Sequence, residues 1–190
     1  MDDQDKIETA ILRKLDGISP VRQAFDNQFL RMLESVFNAV LRHWLLIANL
    51  INGLILVGAV AVPAMRALGW MLIPDFLFAA YHLICEQRPE RSYFLWGYQM
   101  AVDQRITAIF GSSLLAGVVF IPLKGRLRAI SWRTFFILSL PMALDGFTQL
   151  FGWRESNWEL RTITGTLFGG GMVWLVYPCL EEAARLALKR

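Results

Sequence analysis

Apolar residues are concentrated in four long stretches of the chain. These are residues 44–65, 106–123, 135–150 and 162–180. Residues 44–65 contain no charged side chain, and at a rise of ~1.5 Å per residue they cover the ~30 Å hydrocarbon layer of a bilayer. The pattern therefore predicts an all-α integral membrane protein with four transmembrane helices.

A fifth apolar stretch, residues 69–85, is shorter than the others. Pro74 is well placed to begin a helix, with Asp75 beside the positive helix end, and about a dozen residues of the stretch remain beyond it. So few residues predict a half-span or a helix on the outer face of the membrane. A short tilted crossing remains the alternative, and it would move the N-terminus to the other side.

Residues 1–43 alternate apolar and charged positions with helical spacing, interrupted at residues 17–20. This spacing predicts two amphipathic helices, the second lying along the membrane interface or packed against the protein or a neighbouring subunit. The chain then divides into an amphipathic N-terminal region (1–43), a transmembrane domain (44–180) and a short basic C-terminal tail (181–190).

The distribution of charge predicts which side of the membrane each loop faces. Residues 124–133 contain four basic residues and no acidic one, and cytoplasmic loops carry the excess of lysine and arginine. The C-terminal tail is also basic. We therefore expect residues 124–133 and the C-terminus in the cytoplasm, with residues 85–105 and 151–161 together outside a multi-pass protein of the inner (plasma) membrane.

Composition supports the membrane interpretation and excludes other classes. Hydrophobic residues make up 55% of the chain and charged residues only 18%, which leaves too little polar surface for a soluble globule. The formal charge of +3 is small and forms no long basic stripe, so we expect no nucleic acid as a partner. Cys85 and Cys179 fall near opposite membrane faces, which predicts no disulfide.

Asp145 is the most informative polar residue because it lies inside an apolar stretch, where a carboxylate is costly and usually has a partner. One interpretation is an ion pair with Arg91, Arg105 or Arg161 that fixes helix packing. The other is a site that uses this pair chemically.

A binding site on the outer face can be composed from residues of the two outer segments. Arginine binds phosphate and carboxylate groups bidentately, and Gln149 lies one helical turn after Asp145. The candidate ligand-binding residues are Arg88, Arg91, Arg105, Gln149 and Arg161. If the site is catalytic, Asp145 or Asp103 is the candidate base. The sequence contains no Ser-His-Asp set, HExxH motif or phosphate-binding loop, and Gly169 to Gly171 indicate close helix packing.

Several short motifs in this region resemble a family of prokaryotic membrane proteins known as domain of unknown function 2085. The resemblance extends over roughly residues 70–175 and implies a membrane fold without an established activity. The residues that match are Cys85, Gln87, Glu90, Arg91, Ser92, Gln99, Arg105, Asp145, Gly146, Gln149, Glu155, Ser156, Asn157, Arg161, Gly165 and Gly169.

The chain departs from this family where the family pattern implies soft metal ligands or a redox thiol pair. Glu86 stands in the place of a histidine, and Asp103 and Ile106 stand in the places of two cysteines. One thiolate with two carboxylates is a poor closed zinc site, so we expect no metal and no cofactor. A harder ion held by Glu86 and Asp103 is a further hypothesis, although solvated carboxylates explain the same residues.

Two functions remain after these exclusions. The preferred hypothesis is an accessory or scaffold subunit of a larger membrane complex, whose partners are the lipid bilayer and other membrane subunits. The alternative is a membrane-embedded enzyme or binding protein with an outer-face pocket of arginines and aspartates for an anionic lipid-like or carboxylate substrate. A transporter is disfavoured because few spans and one internal acid provide little pathway.

Overall fold

The computed structural model describes residues 20–189, and the first of the two predicted N-terminal helices lies outside this range. Five helices and one hairpin follow along the chain. They are α1 (Pro20–Ala67), α2 (Leu72–Tyr81), a 3-10 turn (Pro89–Arg91), β1 (Ser92–Leu95), β2 (Tyr98–Asp103), α3 (Gln104–Leu123), α4 (Trp132–Leu150) and α5 (Trp158–Ala187).

The second predicted amphipathic helix has no end of its own before the first apolar stretch. It forms the beginning of α1, because neither glycine nor proline occurs between residues 21 and 52 to interrupt the helix. The chain separates into two units between His43 and Trp44, and the geometry below concerns the second unit.

Within residues 20–189, three helices are long and apolar enough to cross a membrane. These candidate spans are Asp26–Ala67, Gln104–Leu123 and Trp158–Ala187. The predicted count of four is not reproduced by this criterion, because Arg133, Asp145 and Gln149 lower the mean hydropathy of α4. The structure thus supports a mostly helical protein with three candidate spans.

The expectation of an all-α protein is wrong at residues 92–103, which form an antiparallel hairpin. Ser92 pairs with Asp103, Phe94 with Gln99 and Leu95 with Tyr98, with an irregularity between Ser92 and Phe94. Trp96 and Gly97 form the turn at φ +52° and +81°, the combination that a tight type I′ hairpin turn requires. Aromatic and β-branched residues on both sides of this turn favour strands.

Close packing between α3 and α5 forms the centre of the second unit. A Cβ added to Gly165 would lie 2.7 Å from the Arg105 carbonyl oxygen, and one added to Gly169 would overlap the Ile109 carbonyl oxygen. Such contacts exclude any side chain, as in other helix pairs that use small residues four apart. The expectation of close packing at Gly169 to Gly171 is confirmed at Gly169 but is wrong at Gly170, where no atom lies within 4 Å of the Cβ position.

The short helix α2 runs back along the end of α1. Near its beginning Asp75 forms an ion pair with Arg66 at 2.8 Å, and at its end the Tyr81 hydroxyl donates to the Ile55 carbonyl at 2.7 Å. Its last residue therefore lies beside the middle of the 44–65 stretch. Residues 82–103 then pack against α1 and α2 around Ala59, Val62 and Cys85.

Candidate functional site

The carboxylate of Asp145 is buried in α4, with only 2% of the residue exposed, and receives hydrogen bonds from four side chains. Arg105 of α3 donates to Oδ2, and Arg154 donates to Oδ1 at 2.6 Å. Ser156 Oγ and Gln149 Nε2 donate to Oδ2 at 2.9 and 3.1 Å. Four donors, two of them cationic, therefore compensate the burial of this charge.

Of the three arginines proposed from the sequence as partners of Asp145, the structure selects Arg105. Arg91 and Arg161 make no ion pair with Asp145 in the described chain. The second cation is Arg154, in the loop after α4. One buried negative charge is thus shared by two guanidinium groups, which join α3, α4 and the loop at one point.

Asp103 occupies a different position from Asp145 and caps the beginning of α3. Its Oδ1 accepts the backbone N–H of Ile106 at 2.7 Å, and its backbone N–H donates to Cys85 Sγ at 3.3 Å. An aspartate at this position satisfies a free donor of the first helical turn and lies at the positive end of the helix. Asp145 and Asp103, the two proposed catalytic residues, therefore have different partners and do not form a pair of carboxylates.

A cavity of about 230 Å³ lies beside Asp103, between the loop after α2 and the beginning of α3. Its lining includes Cys85, Glu86, Asp103 and Ile106. These are the four positions at which the family pattern described above implies soft metal ligands or a redox thiol pair. Glu86 is held by Arg88 at 2.7 Å. Among the described residues no group of three or more His, Cys, Asp or Glu side chains is arranged to hold a metal ion.

The Cys85 thiol is buried in this cavity wall and accepts the backbone N–H groups of Gln87 and Asp103, each at 3.3 Å. Burial raises the pKa of Cys85, and the nearby Asp103 charge acts in the same direction, whereas the two N–H groups oppose it. The thiol is therefore protonated at neutral pH, which is typical of a structural cysteine and not of a nucleophile.

Three glutamine side chains donate hydrogen bonds to backbone carbonyls of α2 and of the segment between α2 and α3. Gln87 donates to the carbonyls of Phe78 and Ala101 at 2.6 and 2.9 Å, and Gln99 donates to the Gln87 carbonyl at 2.6 Å. Gln104 donates to the Ser92 carbonyl at 3.2 Å. Buried backbone carbonyls that have no partner in regular structure require such donors. These amides have a structural role that explains their burial.

Arg161 of α5 is a buried cation, 6% exposed, whose hydrogen-bond acceptors are neutral. Its Nη1 donates to Gln104 Oε1 at 3.3 Å and to the Glu90 carbonyl at 3.4 Å. In the part of the chain that the structure describes, neither Arg161 nor the nearby Arg91 has a carboxylate within ion-pair distance. The charges of Asp145 and Asp103 act on Arg161 from beyond that distance, and a buried guanidinium with no carboxylate in direct contact is costly, so this position favours an anion.

The proposed ligand-binding residues accordingly separate into three places. Arg105 and Gln149 bind Asp145, and Arg88 and Arg91 line the 230 Å³ cavity. Arg161 donates a hydrogen bond to Gln104, which lies in sequence between Asp103 of the cavity wall and Arg105. Sequence reasoning missed Gln104, which does not stand out by spacing. It counted Arg154 among the charged residues of the 151–161 segment without pairing it with Asp145, and it used Ser156 only as a motif residue.

Comparison with known proteins identifies the family. A family model described as a predicted membrane protein, DUF2085, matches residues 85–175, which include the hairpin, Asp145 and Arg161. An uncharacterized protein of Methanocaldococcus jannaschii is 41% identical over 116 residues, covering 60% of this chain and 74% of that protein. The chain belongs to the DUF2085 family. The resemblance found from the sequence motifs is confirmed.

A second relative of this DUF2085 chain is an uncharacterized protein of Methanothermobacter thermautotrophicus. It is 33% identical over 95 residues, covering 50% of this chain and 86% of that protein. No solved structure matches the chain. Membership in DUF2085 thus supports a membrane protein, and neither the family description nor the relatives' printed names assign a reaction.

Proposed function

We propose that this DUF2085 protein crosses the inner (plasma) membrane four times, through α1, α3, α4 and α5, with α2 as a half-span. The helix α4 connects two loops. It begins at the end of the basic loop, residues 124–133, and its last turn meets the loop that contains Arg154. Its charges do not prevent a crossing, since Asp145 is buried and paired.

The positions of the tryptophans support two membrane interfaces, where this residue is enriched. Trp44 donates to Glu181, Trp132 begins α4, and the Trp174 carbonyl accepts the N–H of Ile130, all near the basic loop. The other four follow α1, form the hairpin turn or flank the loop between α4 and α5. They are Trp70, Trp96, Trp153 and Trp158.

This arrangement makes a testable prediction about two exposed loops. In a Cys179→Ser background, a membrane-impermeant maleimide added to intact cells should label Glu155→Cys and spare Arg126→Cys, because the basic loop faces the cytoplasm. After lysis both variants should be labelled, which controls for loop accessibility. Labelling of both positions in intact cells would mean that α4 does not cross, and the reverse pattern would invert the topology.

For the role of the protein we propose an accessory or scaffold subunit of a larger membrane complex. The observation that carries this proposal is a set of large apolar side chains that are exposed on α1 before the uncharged stretch. They are Phe29, Leu30, Met32, Leu33, Val36, Phe37 and Val40. Apolar surface of this kind marks a contact with another protein or with the membrane. The four donors to Asp145 agree, because they give this carboxylate a structural role in joining α3, α4 and the following loop.

Gentle purification of the tagged chain from its native membrane tests this role. We expect other membrane subunits to be recovered in fixed stoichiometry, and Leu33→Glu to lower their recovery, because a charge on the exposed apolar face opposes packing. The matched control Glu34→Gln changes the adjacent charged position and should leave recovery unchanged. The scaffold role would be excluded if the chain were recovered without other subunits and Leu33→Glu changed nothing in what is recovered with it.

The second candidate function is binding of an anionic lipid-like or carboxylate ligand on the outer face. The specific observation in its favour is Arg161, which is buried beside Arg91 without a carboxylate partner. If this site were catalytic, Asp103 or Asp145 would be the base, although Asp103 is already engaged with the first turn of α3 and Asp145 with four donors. Recovery of the protein alone with a bound anion, lost in Arg161→Gln, would favour this function over the scaffold role.

A further inference from the structure

Two cavities meet at the end of the molecule that carries the basic loop, and their walls differ in chemistry. The first, about 410 Å³, lies between the basic loop and the last turns of α5, and its polar wall contains Arg128, Glu181, Glu182 and Arg185. The second, about 190 Å³, lies between α3 and α5 and is lined by apolar residues and Gly170. Phe120 and Leu127 belong to both walls, so the cavities adjoin.

The charges of the first cavity are not all available to a ligand. Glu181 accepts from Lys124 Nζ at 3.1 Å, from Trp44 Nε1 at 3.3 Å and from Arg185 Nη2 at 3.4 Å, so its charge is compensated within the chain. In contrast, Arg128 and Glu182 take part in no ion pair of the described chain. The cavity therefore offers one free guanidinium and one free carboxylate.

The second cavity is suited to a hydrocarbon chain. Val119 and Leu123 of α3 and Val173 and Trp174 of α5 form its sides. At Gly170 no atom lies within 4 Å of the position that a Cβ would take, so the glycine leaves open space in the helix surface. This space lies within two candidate spans, where lipid is the solvent.

We propose that the two cavities together bind one phospholipid whose headgroup contains a phosphate and a primary ammonium group. The phosphate binds Arg128, whose planar fork matches two phosphate oxygens, and the ammonium group donates to Glu182. One acyl chain occupies the groove at Gly170. Pockets between helices beside a basic loop are known positions for lipid headgroups, and the free carboxylate distinguishes this one from a purely anionic-lipid site.

Native mass spectrometry of the delipidated full chain, titrated with single lipids in detergent, tests the headgroup assignment. Phosphatidylethanolamine should bind about tenfold more tightly than phosphatidylglycerol, which lacks the amine, or phosphatidylcholine, whose methylated amine cannot donate a hydrogen bond. Arg128→Gln should weaken all three about tenfold, whereas Glu182→Gln should remove only the preference for phosphatidylethanolamine. Tighter binding of phosphatidylglycerol to the unaltered chain would overturn the proposal.

Two controls separate this site from general surface charge. Arg133→Gln removes a basic residue of the same loop that does not line the cavity, and Glu159→Gln removes an acid near the beginning of α5. Neither should change the affinity of any of the three lipids. Equal losses in Arg128→Gln and Arg133→Gln would show that the loop attracts lipid without a defined headgroup site, which contradicts the proposal.

The acyl groove is tested by filling it. Gly170→Leu should weaken binding of long-chain phosphatidylethanolamine several-fold, because the new side chain occupies the open space, while the melting temperature stays close to that of the unaltered chain. Gly53→Leu, at another glycine with no atom within 4 Å of its Cβ position, is the matched control and should leave binding unchanged. Unchanged binding in Gly170→Leu would remove the groove from the proposed site.

Discussion

Replacing Asp145 by asparagine is expected to destabilise the protein by about 3 kcal/mol, because the half-buried guanidinium of Arg105 loses its counter-charge. The amide also places a donor at one of the two oxygen positions, where either Arg154 or the pair Arg105 and Ser156 requires an acceptor. For a chain of this size the loss corresponds to a fall of about 10 °C in the melting temperature in detergent. Thermal unfolding of the purified variant measures it.

The matched control is Asp75→Asn, because Asp75 also forms an ion pair with an arginine but its side chain is 60% exposed. An exposed pair contributes less than about 1 kcal/mol, so this variant should melt within a few degrees of the unaltered chain. The double variant Asp145→Asn, Arg105→Gln should recover part of the loss, since it removes the unpaired charge. A double variant as unstable as Asp145→Asn alone would contradict this explanation.

The second large effect is expected from Gly169→Ala at the contact between α3 and α5. The added methyl group would overlap the backbone carbonyl of Ile109 and the hydroxyl of Ser112, so the two helices must separate. Overpacking against backbone should cost about 3 kcal/mol and lower the melting temperature by about 10 °C. Melting of the purified variant, with the helix content followed by circular dichroism, measures this change.

Gly170→Ala provides a control one residue away in the same helix. No atom lies within 4 Å of its Cβ position, and alanine is the better helix former, so we expect no loss of stability. If Gly169→Ala and Gly170→Ala behaved alike, the close approach of α3 to α5 would not be the source of stability at this position.

The apolar pattern predicted the helices well but not where they begin. It placed the last three spans at residues 106–123, 135–150 and 162–180, whereas α3, α4 and α5 begin two to four residues earlier. The difference arises because each helix begins after a side chain that accepts the N–H of the third helical residue. These caps are Asp103, Ser131 and Asn157.

The hairpin was missed because residues 85–105 were interpreted through their charges. Its strands are short, and the positive φ of Trp96 gives no signal in the sequence. The candidate site was found in part: Asp145 and Arg105 do meet, whereas Arg154 and Gln104 could not be selected among many similar residues. Their roles depend on which loop approaches which helix.

By itself, the sequence determined that the chain is a membrane protein, where its helices lie, and that it resembles DUF2085. It could do so because the apolar stretches and short motifs are local properties of the chain. Only the tertiary structure decided that Asp145 receives four donors, that Asp103 caps a helix and that Arg161 is buried without a carboxylate in ion-pair contact. These facts concern distances between residues far apart in sequence, and a side chain's chemistry depends on the partners that folding brings to it.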